Sequence, residues 1–382
     1  MIIDDTKSIC ETLEEIVTER SASDSRNYHL LNLLNTDNPV LPFDKAGIDY
    51  PVQSPFDICA TLTDKQRMLA SVLALKASLP EDRNGSFLDD TDLIHMYYQN
   101  MRKLDASLFQ NDPYLQKISL PLGKQGNFLF GFQNYEKDKL FHYGETEPYG
   151  YGDILKLAWF DENVKYPFVT ENGTYFSSVS ADLIVTAQAF IRPVSQSVLI
   201  LGCGIGYLPY LIHRKDSVSS VTIVEKDPDV IALFQNSILP QFDHPEKIHI
   251  IASDAFEYLR KEETEEKWII TDLYSSSLEG VRPYLEMKKL EHLHKRSRYL
   301  YWIEENILSN LKSAFVVMTI SSLMPDVKEK DLMQSEEEGK DIIDALKPFM
   351  EDLHIHTNTQ LKELFTSKGL KRYLSKQGNK LV

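Results

Sequence analysis

The sequence predicts a doubly wound α/β domain, preceded by a small antiparallel β-element and an N-terminal helical region, and three observations carry that prediction. Short apolar runs at 198–201, 221–224, 247–251 and 268–271 alternate with helical patterns from 207, over 228–238 and over 254–261. Such alternation builds a parallel sheet covered by helices on both faces, whose strands read as unbroken apolar runs. The first run passes directly into Gly202-Cys203-Gly204-Ile205-Gly206, a turn rich in the residue that adopts positive φ without steric cost. Before it, Tyr166 to Thr170 reaches Thr174 to Ser177 across Glu171-Asn172-Gly173, and Asn-Gly is a strong hairpin signal.

In order, the chain divides at 1–116, 117–178, 179–322 and 323–382. Residues 1–116 are expected to be mainly helical, with short patterns at Ile9 to Val17 and His29 to Leu34. Thr63 to Leu79 places Met68, Val72, Leu75 and Leu79 on one stripe behind Thr63 as a cap, and Asp90 to Leu108 repeats apolar residues at helical spacing. Between the two helical parts, Asn38 to Phe56 carries Pro39, Pro42, Pro51 and Pro55 and should be extended or irregular. The segment 117–178 reads as short strands at Gly126 to Phe132, Lys139 to Tyr143 and the Asn-Gly hairpin. Its aromatics, among them Tyr143, Trp159, Tyr166, Tyr175 and Phe176, are read first as core and second as the wall of an acceptor pocket.

Ser180 to Ile191 is expected to lead as a helix into the sheet. Ala314 to Ile320, an apolar run with β-branched residues, is expected to supply a fifth strand after a helix near Tyr299 to Leu311. Beyond it, Met324 to Gly339 reads as a charged loop or lid, and Asp341 to Glu351, Asn358 to Phe365 and Gly369 to Leu374 as helices forming a C-terminal extension.

The strand ends carry the chemistry. Gly202, Gly204 and Gly206 let a ligand lie against bare backbone, and the helix opening at Tyr207 turns its N-terminal amides toward that ligand. Glu225 closes the second strand about twenty residues beyond the glycines, where an acidic side chain accepts both hydroxyls of a ribose. The spacing is Gly-x-Gly-x-Gly, one residue shorter than the Gly-x-Gly-x-x-Gly of dinucleotide folds. Asp254 ends the third strand, where its carboxylate accepts from an adenine amine and Ala255 offers a backbone amide to the ring; Asp254 also reads as a helix N-cap. Asp272, at the end of the fourth strand, points into the crevice with Tyr274 nearby, and either orients an acceptor nucleophile, takes its proton, or acts only electrostatically.

No metal site is expected. His292 and His294 diverge at i and i+2 on a helix, and His354 and His356 alternate as on a strand without identifiable partners. Both pairs are read as surface histidines. A formal charge of −16 argues against a nucleic-acid or membrane-surface partner and suits a small or cationic acceptor, although Lys288, Lys289, Lys295, Arg296 and Arg298 keep an RNA acceptor as a minor alternative. Three scattered cysteines make no disulfide framework, no secretory signal is visible, and no run reaches the roughly 18 residues of a membrane span. The expected location is the cytoplasm.

The stretches LILGCGIGYLPYLI (199–212), VTIVEKDPDVIALFQNSILPQF (221–242), IHIIASDAFEYL (248–259) and WIITDLY (268–274) resemble the class I S-adenosylmethionine-dependent methyltransferases, and within them a bacterial group related to spermidine synthases. The resemblance implies a Rossmann-like methyltransferase sheet and a sulfonium donor, S-adenosyl-L-methionine, held by Gly202, Gly204, Gly206, Glu225, Asp254 and Ala255, with Asp272 at the transfer site. It also implies a homodimer, since spermidine synthases are usually dimers. Those synthases carry an aspartate inside the glycine loop, where this chain has Ile205, and a Ser/Thr-rich Asp-Pro run after the catalytic aspartate, where it has Leu273-Tyr274. The expected function is therefore methyl transfer to a small-molecule acceptor. Aminopropyl or aminocarboxypropyl transfer, and cofactor binding without turnover, are the alternatives.

Overall fold

The computed structural model describes residues 1–4, 6–35, 100–137, 139–261, 265–324 and 336–381. In chain order, β1 (Ile2–Ile3) precedes the helix Lys7–Asn35, and β2 (Met101–Lys103) precedes two short helices, Ser107–Gln110 and Pro113–Lys117. Eight strands follow: β3 (Gly123–Gln125), β4 (Phe128–Tyr135), β5 (Phe141–His142), β6 (Glu147–Tyr149), β7 (Gly152–Ile154), β8 (Leu157–Trp159), β9 (Val164–Glu171) and β10 (Thr174–Ser178). After the helix Ala181–Phe190 come β11 (Gln196–Leu201), β12 (Val218–Glu225), β13 (Ile248–Ala252), β14 (Trp268–Thr271) and β15 (Arg298–Tyr301), with helices between them. The helices Glu304–Leu323 and Glu336–Met350, β16 (His354–Ile355) and the helices Asn358–Leu364 and Ser367–Gly378 complete the chain.

β11 to β15 form a parallel sheet in the order β13-β12-β11-β14-β15. The order reverses beside β11, and in open α/β sheets ligands bind at such a switch, outside the carboxyl ends of the strands. Side chains alternate across the central strand: Leu199 and Leu201 join one core, Val198 and Ile200 a second. Each such buried aliphatic contributes about 1.5–3 kcal/mol, so the central strand is held firmly between the two cores. The first core takes in Ile9, Leu13 and Ile16 of the first helix and Phe349, Leu361 and Leu370 from the C-terminal region. The second takes in Phe128, Phe130 and Phe160 from the β-element.

The β-element comprises a four-stranded antiparallel sheet, β10-β9-β4-β3, a three-stranded sheet, β2-β8-β5, and the β6-β7 pair. At the β9–β10 turn, Asn172 and Gly173 have φ of 51° and 87°, as the Asn-Gly signal requires. Helices expected at 180–191, 228–238, 254–261, 341–351, 358–365 and 369–374 stand close to where the sequence places them.

Three expectations are corrected. Ala314 to Ile320 is helical, inside Glu304–Leu323, and the fifth strand is Arg298–Tyr301. That 20-residue helix is buried nearly all round, so its apolar run loses the helical period that distinguishes it from a strand. Ile9 to Val17 and His29 to Leu34 are parts of one continuous helix, Lys7–Asn35, bridged through a polar stretch. Met101, expected on a helix, lies in β2, paired with Leu157 of β8. The expected helix Thr63 to Leu79, the Pro-rich stretch Asn38 to Phe56 and most of the expected lid lie outside the described residues. No helix among the described residues is long and apolar enough to cross a membrane.

The polar stretch of the first helix has a partner. Arg20, fully buried, ion-pairs with the buried Asp153 of β7, while Ser23 and Asn27 donate to the Asp153 carbonyl at 2.7 and 2.9 Å. Ser309 donates to the same carboxylate at 2.6 Å and Lys312 lies 3.8 Å away, both on the helix Glu304–Leu323. Three parts of the chain thus meet at one carboxylate. Replacing Arg20 by Ala leaves that buried charge under-compensated, and removing one partner of a buried pair costs about 3–5 kcal/mol. The urea midpoint of R20A is expected to fall accordingly, with the slope of the transition unchanged.

Candidate functional site

The carboxyl ends of β11 to β14 open onto a cavity of about 680 Å³. Its floor is the glycine loop. Gly202, Gly204 and Gly206 have φ of 96°, 50° and 75°, and two of them are also pressed by neighbours. A Cβ on Gly202 would sit 2.0 Å from the Asp272 carbonyl oxygen, and one on Gly206 would sit 2.6 Å from the Phe234 ring. Gly204 meets nothing within 4 Å. Gly202 and Gly206 therefore serve close packing, and Gly204 leaves open space against bare backbone. Gly206 caps the helix Tyr207–His213.

Glu225 braces this loop from β12. Its Oε2 accepts from the Cys203 amide at 3.0 Å, and its Oε1 accepts from the Lys226 and Asp227 amides at 2.8 and 3.0 Å. A carboxylate oxygen has a second accepting direction, so the half-buried side chain can take a ligand hydroxyl while holding the loop. Asp254 is the N-cap of the helix Ala255–Lys261, its Oδ1 accepting from Phe256 and Glu257 amides at 2.9 and 3.1 Å. It lines the same cavity beside Ala255, so the capping and ligand-facing readings coexist.

Asp272 stands where β14 ends, its amide donating to the Leu201 carbonyl at 2.9 Å. Burial pushes its carboxyl up to about 7, with the Glu225 charge adding to the shift. One edge faces the cavity, and the group titrates near neutrality, as a general base requires. Tyr274 lines the cavity too, but its hydroxyl donates to the Trp302 carbonyl at 2.7 Å, and burial raises its pKa further. That engagement suits Tyr274 to shaping the wall rather than to proton transfer. Seven of the eight sequence-derived residues line one cavity; the eighth, Gly206, lies behind it, packed against Phe234 and Ile238.

Sequence reasoning missed three supports. Tyr114, wholly buried, donates to the Ile205 carbonyl at 2.5 Å, and Tyr207 donates to the buried Asp112 at 2.7 Å, so the helix Pro113–Lys117 clamps the loop from behind. The Asp112-Pro113 pair was a readable helix-start signal. Ile303, at the cavity rim, has φ of 47°, a strained value for a β-branched residue of the kind concentrated at functional sites. His142 of β5 lines the cavity, and its Nε2 is buried with no protein partner among the described residues. Burial lowers its pKa, against the raising effect of Asp182.

The aromatic-wall reading survives only in part: Tyr175 and Phe176 line the cavity, whereas Tyr143, Trp159 and Phe160 are core. His292 and His294 do diverge, taking separate backbone carbonyls, Lys289 and Leu259, but His294 is buried rather than at the surface as expected. His354 and His356 are not without partners, since both bond Asp4; β1 brings that residue from the far end of the chain, a contact no local pattern encodes. Lys288 is buried and pairs with Glu291, and Lys289 pairs with Glu286, so the basic cluster is partly neutralised.

Residues 178–294 match the family model of the spermine/spermidine synthase domain. No curated protein matches the chain. Among solved structures, a spermidine synthase from Thermotoga maritima is 17% identical over 45% of this chain and 62% of its own, with a TM-score of 0.26. The match thus spans less than two thirds of that protein. An SAH-bound methyltransferase from Podospora anserina is 16% identical over 46% of this chain and 71% of its own, with a TM-score of 0.30. A probable spermidine synthase from Corynebacterium glutamicum is 14% identical over 41% and 63%, with a TM-score of 0.28.

The two glycine roles separate by substitution. Gly202→Ala adds a backbone clash to a forbidden φ, whereas Gly204→Ala adds only the φ strain of roughly 1–2 kcal/mol. Thermal unfolding is expected to show clearly greater loss for Gly202→Ala; equal losses would contradict the packing role.

Proposed function

We propose that this chain is an S-adenosylmethionine-dependent transferase, with methyl transfer to a small-molecule acceptor as the first reading. The observation that carries it is convergence: the open glycine loop, Glu225, Asp254 and Asp272 come from four adjacent strand ends and line one cavity. The residues fit a nucleoside-bearing donor. Gly204 leaves room against the backbone, Glu225 retains accepting capacity toward a ribose, and Asp254 with Ala255 faces the place for a base. When bound, the cofactor supplies an activated one-carbon group on a sulfonium.

The protein's own part is alignment, charge and proton handling. Asp272, once ionised, accepts a hydrogen bond from the acceptor and then its proton, aligning the nucleophile. Tyr274, fixed to Trp302, and Ile303 hold the adjoining wall. Seven carboxylates line the cavity, including Glu171, Asp182, Glu225 and Asp272, against the basic groups Lys226 and His142. Their field favours cationic ligands, which suits a sulfonium and an amine acceptor. The partly neutralised basic cluster supports a small acceptor over RNA.

The same acidic lining and the family match favour a second reading, aminopropyl transfer from a donor that lacks a carboxylate. Parallel calorimetric titration with S-adenosylmethionine, S-adenosylhomocysteine and decarboxylated S-adenosylmethionine separates the two. Tighter binding of the carboxylate-bearing pair is the expected result; preference for the decarboxylated donor moves the assignment to aminopropyl transfer, and binding of none overturns both. Glu225→Gln is expected to weaken the preferred donor about 10- to 100-fold, the worth of a hydrogen bond to a charged group.

Asp272 supplies a pH test. Its folded carboxyl titrates at about 7, above the ordinary 3.8, so the folded state holds the proton longer than the unfolded one. The group therefore opposes folding increasingly as pH rises from 3.8 to about 7, and constantly above that. Asp272→Asn is expected to melt higher than the native chain at pH 8 but not at pH 4. Transfer in the native chain should rise with pH to a plateau above about 7, and the variant should lose that rise along with about 10²- to 10⁴-fold in rate.

A further inference from the structure

We propose that Asp4, His354 and His356 form a binding site for a divalent transition-metal cation of the zinc, cobalt or nickel class, fastening the first strand to the C-terminal region. The three side chains offer ligand atoms that all lie within 4.8 Å of one another. His354 Nε2 is 2.8 Å from one Asp4 oxygen, and His356 Nδ1 is 2.9 Å from the other. The two imidazoles lie side by side with ring centroids 3.6 Å apart and planes tilted by 42°. Ligands held 2.0–2.1 Å from a tetrahedral ion stand about 3.4 Å apart, so small side-chain rotations bring this cluster onto one ion.

The backbone that carries these ligands is fixed independently of them. β1 and β16 pair in parallel, with Ile2 opposite His354 and Ile3 opposite Ile355, and the Asp4 amide donates to the Ile355 carbonyl at 3.0 Å. His354 and His356 lie two residues apart and so project to the same side of their strand. Gln360 locks that segment, accepting from the His356 amide at 3.1 Å and donating to the His354 carbonyl at 2.7 Å. A site whose ligands are pre-positioned by hydrogen-bonded backbone loses little conformational freedom on binding.

Ligand chemistry selects the metal. Two imidazole nitrogens and one carboxylate suit zinc, cobalt, nickel or copper, whereas calcium and magnesium demand oxygen ligands throughout. The side chains are part exposed, which leaves room for water to complete the coordination. The cluster involves none of the residues assigned to the transfer site, so the expected role is structural: the ion joins positions 350 residues apart in the chain.

The test is titration of the untagged full chain with cobalt(II), read by its visible ligand-field absorption, and with zinc by calorimetry. The native chain is expected to bind one ion per chain, with imidazole-type cobalt bands and a melting temperature that rises on adding zinc. His356→Ala and Asp4→Asn, checked for native circular dichroism, should each weaken binding at least about tenfold, the loss that even outer-shell changes produce at metal sites. Absence of one-to-one binding by the native chain overturns the proposal. So does binding that both variants retain in full, which would place the ion at other histidines.

Discussion

The backbone of Gly202 passes so close to the carbonyl of Asp272 that no side chain fits between them, and the site depends on that approach. The end of β11 is hydrogen-bonded to both neighbours, Gly202 donating to Val224 of β12 and the Asp272 amide donating to Leu201. Three strand ends are thereby drawn together before the chain turns away. The loop must then leave at positive φ, which glycine permits, and its next amide, Cys203, is caught by the Glu225 carboxylate. The same tightness sets the electrostatics: two carboxylates share a crevice, and the more enclosed one, Asp272, moves toward neutrality.

A loop with so much positive φ would be loose unless held from outside the sheet, and the flanking regions supply the hold. Tyr114 and Asp112 come from the short helices before the β-element and engage Ile205 and Tyr207. On the other side, the turn between β5 and β6 reaches the helix Glu304–Leu323, where Glu145 accepts from the Glu305 amide at 2.8 Å and Asn306 accepts from Thr146 at 2.7 Å. That contact sits beside the strained Ile303 and the carbonyl that anchors Tyr274. The Asp153 cluster ties the same helix to the first helix and to β7. The β-element and N-terminal helix are thus structural partners of the α/β sheet and share its two cores.

What the sequence made legible follows from how local each signal is. The four strand ends were readable because each couples a short apolar run to a residue type with one dominant reason to be there: glycine for φ, aspartate for a cap, an acid at a strand end. The fifth strand was not, because Arg298-Tyr-Leu-Tyr301 is short and polar at one end, while Ala314 to Ile320 is buried on every side within a helix and carries no period. His142, Tyr114 and Ile303 act through contacts made only after distant segments meet. Asp4 with His354 is the extreme case, a pairing across 350 positions that only the β1–β16 register creates. Arg20 belongs with them: nothing in its local sequence points to Asp153, which it meets only where β7 packs against the first helix.

The loop position that departs from the spermidine synthases now has a physical meaning. Ile205 is almost wholly buried in the second core, and its carbonyl is taken by Tyr114. A carboxylate there would enter an apolar setting, at a cost of several kcal/mol unless paired. The chain thus gives up charge at this point of the loop for packing beneath it. Acidic groups reappear on the opposite wall instead, where Asp182 receives the Gly144 amide and Glu171 is held above its ordinary range by burial and by Asp227, Asp229 and Glu225. On the proposed transferase reading, Glu171 and Asp182 thus add the β-element and the helix that follows it to the groups that face the donor, beside Glu225, Asp254 and Asp272 of the sheet.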